Sequence, residues 1–194
     1  MAFGFCAALA LTTLSVVILP KPDNAITVAL LVSSRVAFLF FWPAYAGGAL
    51  TSLFGHRFLF LRKRARELGL AFAAALLVHL GSVLTLCIVG ERPGVRTFII
   101  FGAAALLTYL LALFSIRRVR EAMPSAVWSF IRTFGMNYIA LAFLLDFTRF
   151  GVSNTRDAVL YGPFAALAIA GPLLRAAAWA PRARDLLLRP AATR

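Results

Sequence analysis

Apolar stretches about as long as a membrane-spanning helix alternate along the chain with short basic or turn-forming stretches, and six of them separate cleanly. The first covers about residues 2–20 and stops at Pro20 before the polar turn Lys21-Pro-Asp-Asn24. The second, about 26–55, is too long for a simple span. The roughly 20 residues from Arg35 to Gly55 already cover about 30 Å. That spacing puts Arg35 at the far surface, with 25–34 as an interfacial lead-in, and Pro43 and the Gly47-Gly48 pair can kink the helix. The third and fourth, about 67–90 and 97–116, are joined by the turn Glu91-Arg-Pro-Gly94. The fifth covers about 125–148, and the sixth, about 157–180, is interrupted by Pro163 and Pro172.

No strand-like alternation and no internal repeat accompany this pattern. A lipid-exposed backbone must satisfy its own hydrogen bonds, so the expected fold is all-α: a polytopic membrane protein with a six transmembrane helix bundle. One domain fills 1–180, and a basic tail, 181–194, follows and suits an anionic leaflet. Met1 to Pro20 lacks the basic start and cleavage site of a signal peptide and reads as a membrane helix.

Composition agrees. Of 194 residues 62% are hydrophobic and 14% charged, with a mean hydropathy of +0.89. The net charge of +13 would suit nucleic acid, but its carriers lie in short loops between apolar runs, which is a topology signal. Thirteen Lys and Arg fall in the 2–3 loop, the 4–5 loop and the C-terminal stretch, and five in the opposite loops. The richer side is expected to be cytoplasmic, with both termini there. Cys6 and Cys87 lack metal-type spacing and read as small core hydrophobes. No flavin or nicotinamide domain is present: the chain has no G-x-G-x-x-G and no P-loop. Nor does it hold a hydrolase constellation or a carboxylate pair within the membrane.

The candidate chemistry is sparse. His79 stands about twelve residues inside the third segment, roughly 18 Å deep, where an ionisable group is a functional-site hypothesis; a neutral imidazole bonded to a neighbouring helix is the plain alternative. Arg132, about seven residues inside the fifth segment, either binds an anion or snorkels to the surface. Arg35 has the same two readings. Asp146 has the spacing for an ion pair with Arg149, and Asn137 suits a hydrogen bond between helices. The 18 phenylalanines and three tryptophans read as lipid-facing and interfacial packing.

Several runs carry a resemblance: Ser34-Arg-Val-Ala-Phe38, Gly48-Ala-Leu-Thr-Ser52, Arg64-Ala-Arg-Glu-Leu-Gly-Leu70 with His79, and the loop Leu113 to Trp128. Over about 34–148 the chain resembles the ferric reductase-like transmembrane domain family, and within it the haem-bearing membrane subunits serving bacterial periplasmic methionine-sulfoxide reductases. The resemblance implies a bacterial inner-membrane electron-transfer protein with b-type haem. His79 would be an axial iron ligand, and Arg35 and Arg132 would lie near propionates. The chain departs from the family in the fifth segment, where Arg132 and Leu145 or Asp146 stand at the histidine positions. Met136 or Tyr138 could supply the second ligand, as could a partner subunit or a second copy. Otherwise the fold is a haem-free accessory or scaffold subunit of a larger membrane complex. An intact relay predicts a second ligand facing His79, and a scaffold predicts a dry, filled bundle. A small transporter is the third reading, resting on a sixth helix broken near Pro163, Gly171 and Pro172. The partners expected are membrane lipids and another membrane or periplasmic protein.

Overall fold

The computed structural model describes residues 2–18, 22–90, 92–148 and 155–188, and every regular element among them is helical. The long helices are α1 (Ala2–Ile18), α2 (Pro22–Phe54), α4 (Ala65–Val89), α5 (Val95–Phe114), α7 (Ser125–Thr148) and α8 (Thr155–Leu188). A 3₁₀ turn, Gly55–Phe58, and the short α3 (Leu59–Lys63) join α2 to α4, and the short α6 (Arg117–Glu121) leads into α7. Among the described residues five stretches are long and apolar enough to cross a membrane: Ala25–Lys63, Ala65–Val89, Val95–Phe114, Ser125–Thr148 and Ala158–Ala180. The first expected span is α1, whose 17 residues pack against α2 and α4.

The helix ends follow ordinary chain chemistry. Gly90 closes α4 at φ 101°, a left-handed conformation that costs glycine little, and the extended Gly94 precedes α5. Where the turn was expected at Glu91 to Gly94, Glu91 itself lies outside the described residues. Arg149, Arg156 and the tail from 181 onward also lie outside what can be said of side chains.

Helix α2 is the pillar of the bundle. Phe38 is 1% exposed and meets Phe143 and Phe147 edge-on, at centroid distances of 5.0 and 4.9 Å. Phe41 packs on Phe72 of α4 at 5.2 Å and on Phe143 of α7 at 5.4 Å. These rings therefore form the core, which corrects the expectation that the phenylalanines face lipid. That expectation holds for Phe54, Phe60, Phe130 and Phe134, which are exposed. On the α1 side small residues permit close approach. Ala71 to Ala75 are all buried, and a Cβ added to Gly4 would stand 2.8 Å from the Ala71 Cβ.

Two expectations about helix shape change. Residues 25–34 are continuous with α2, and Ala25, Ala29 and Ser33 are buried in the bundle, so this stretch is no interfacial lead-in. Helix α8 runs unbroken from Thr155 to Leu188 across Pro163 and Pro172, which removes the broken helix on which transport rested. Trp42 of α2 donates its Nε1–H to the Leu167 carbonyl of α8 at 2.7 Å, and Arg35 reaches the Leu160 carbonyl at 2.8 Å. A third tie joins α2 to α7: Tyr45 Oη donates to Asn137 Oδ1 at 2.9 Å, the interhelical bond expected of Asn137.

Candidate functional site

Helix α4 lies close against α1 and α2, and α5 lies against α7, so α4 and α5 meet only loosely. A single side-chain bond, Tyr109 Oη to the Ala73 carbonyl at 3.4 Å, links them among the described residues. The space between holds two cavities. The larger, about 670 Å³, lies towards the end of the bundle that carries the α4–α5 turn; the smaller, about 180 Å³, lies towards the end that carries α6. Phe72, Thr108 and Ile139 line both and form the partition.

His79 lines the larger cavity. Its Nδ1 is 3.0 Å from Ser33 Oγ, and Ser33, 0% exposed, donates its own hydroxyl hydrogen to the Leu30 carbonyl at 3.2 Å. The single hydroxyl hydrogen of Ser33 goes either to the Leu30 carbonyl or to Nδ1, so whether Nδ1 donates or accepts across this contact depends on the ring's tautomer. In the tautomer that carries its proton on Nδ1, Nε2 holds the lone pair. The ring ties α4 to α2.

Arg35 shares this cavity. It was expected at the far surface, yet it follows Ser33 by two residues, about 3 Å along α2, and so stands nearly level with His79. Its Nη1 and Nη2 donate to the Leu31 and Leu160 carbonyls at 3.0 and 2.8 Å. Its guanidinium lies 4.8 Å from the Tyr161 ring centroid and 5.1 Å from that of Phe164. Asp146 lines the same cavity, where its charge favours the Arg35 cation; the Arg149 expected to pair with it lies outside the described residues. The other walls are mostly apolar, with Leu76, Leu80, Phe101, Ala142 and Phe143 among them, and also carry Thr27, Ser34, Arg92, Thr97 and Thr108.

Arg132 and Met136 lie elsewhere. Both line the smaller cleft, on the other side of the partition from His79. Tyr138 directs its hydroxyl to the Ile100 carbonyl of α5 at 3.3 Å. The expected site residues are thus split in two pairs, His79 with Arg35 and Arg132 with Met136. No group of three or more His, Cys, Asp or Glu able to hold a metal ion occurs among the described residues. Sequence reasoning missed Ser33 and Tyr161. Their only signal was a polar side chain at membrane depth, as with His79.

No family model, curated protein or solved structure matches the chain.

Proposed function

We propose that the chain is a six-span protein of the ferric reductase-like type, with both termini cytoplasmic in a bacterial inner membrane, which holds b-type haem in the larger cavity. One observation carries this reading: an imidazole midway along α4, tied through Nδ1 to Ser33, on the wall of a cavity of about 670 Å³. In the tautomer with its proton on Nδ1, Nε2 would carry the lone pair for iron. That volume is within the roughly 300–1,000 Å³ of cofactor-sized sites, and the walls are mostly apolar as such sites are. Histidine ligands are commonly oriented by a hydrogen bond from the other ring nitrogen, which is the part Ser33 would play. Arg35 would hold a propionate with the N–H groups it does not spend on Leu31 and Leu160. Haem supplies one-electron exchange at iron when bound.

Among the described residues the cavity wall offers no second His, Met or Cys. The site we propose is therefore five-coordinate, or is completed by a partner protein or a second copy. The same observation favours a second reading, a haem-free accessory subunit, since α7 presents Ile139, Ala142 and Phe143 to the cavity in place of a ligand. An open space of this size argues against it, because a scaffold needs none.

The test is an optical spectrum of the purified chain, oxidised and reduced, with a haemochrome assay. A Soret band near one haem per chain, lost in His79→Ala and weakened in Ser33→Ala, is the expected result. Haem-free protein from cells amply supplied with haem would leave the accessory-subunit reading in its place.

A further inference from the structure

We infer that the smaller cleft is a binding site for the phosphate headgroup of an anionic phospholipid. Three arginines from three separate elements, Arg66 of α4, Arg120 of α6 and Arg132 of α7, line it together. No carboxylate among the described residues lines the cleft. The acid nearest in sequence to Arg120, Glu121, instead pairs with Arg117 at 2.7 Å. Cations gathered from three elements around one hollow disfavour one another unless an anion lies between them, and several arginine forks suit the oxygens of a phosphate.

The rest of the cleft is that of a lipid site. Its walls include Leu70, Phe72, Met136 and the half-buried Trp128, an interfacial residue type. At about 180 Å³ it is below the size of sites that enclose a whole ligand, so it admits a headgroup and leaves the acyl chains outside. Phe130 and Phe134, 70% and 53% exposed on the outer face of α7, provide apolar surface for those chains. A general excess of positive charge on one side requires only a count of residues, not convergence. Arg62, Lys63, Arg117 and Arg118 contribute to that count at the same end without lining the cleft. Basic pockets between membrane helices are a known form of headgroup recognition. The inference is independent of haem.

The test uses the full chain purified in mild detergent, with native mass spectrometry and phosphorus analysis of retained lipid. The wild type is expected to keep about one phosphatidylglycerol or cardiolipin per chain. Arg120→Ala/Arg132→Ala, titrated in the same detergent with a short-chain phosphatidylglycerol, should bind it roughly thirty-fold more weakly, at the usual contribution of each arginine. Arg62→Ala/Lys63→Ala removes the same charge and should retain both lipid and affinity. Arg120→Ala alone, on an exposed residue, covers the case in which the double variant fails to fold. Equal losses in the two double variants would reduce the effect to bulk charge and overturn the site. Retained lipid no richer in anionic species than the source membrane would also overturn it. Displacement of the lipid by millimolar inorganic phosphate would overturn the lipid and assign the cleft to free phosphate.

Discussion

Two sides of helix α4 are built from similar residues and behave differently. Where the helix meets α1, Gly4 is pressed against Ala71, in a stretch whose five residues, Ala71 to Ala75, are all buried. Facing α5, it leaves a space of about 670 Å³. Both sides are apolar, so hydrophobicity alone does not decide which is solid. Lipid tails are as apolar as leucine, and association inside a membrane depends on close packing and on hydrogen bonds between helices. The closed side has small residues, the Phe41–Phe72 ring contact and the tie from His79 to Ser33. The open side has large side chains that meet across a gap.

The largest effect expected of any single change belongs to the solid core around α2, where Phe38 packs on rings of α7 and α8. Phe38→Ala should lower stability in detergent by about 3–5 kcal/mol, whereas Phe101→Ala, on the cavity wall, should cost well under half of that. Equal losses in unfolding titrations would remove the distinction between the solid core and the open side. Gly4→Leu comes next, at about 1–3 kcal/mol, because its side chain must displace the α4 backbone at Ala71. A smaller loss of roughly 0.6 kcal/mol is expected for Tyr45→Phe, which removes one interhelical hydrogen bond. The least effect on stability should come from Ala105→Leu, which fills part of the cavity without opposing contacts to break. Haem retained per chain should nonetheless fall in that variant, and unchanged retention would place the cofactor elsewhere.

Helical architecture and five of the spans were legible because membrane helices write their length into the chain. The position of His79 in the middle part of a long apolar helix was legible for the same reason. Its partner was not: Ser33 and His79 are 46 residues apart, and only the pairing of α2 with α4 brings them together. The level of Arg35 was misjudged because counting about 20 residues back from Gly55 assumes a helix that ends where the membrane does. In fact α2 begins at Pro22 and is 33 residues long. Composition also hid the split of the arginines between two cavities. Arg35 and Arg132 look alike as isolated cations in apolar runs, and only the partition of Phe72, Thr108 and Ile139 separates them.

The unbroken course of α8 has a consequence for how the protein is made. Each proline within a helix takes away the amide that would serve the carbonyl four residues earlier, and α8 holds three, Pro163, Pro172 and Pro181, which costs Val159, Ala168 and Ala177 that partner. Arg35 and Trp42 of α2 deliver their hydrogens to Leu160 and Leu167, each one residue from the first two of those carbonyls. The turns weakened by Pro163 and Pro172 are therefore the ones beside which α2 places its donors. The helix made last thus docks onto one synthesised more than a hundred residues before it.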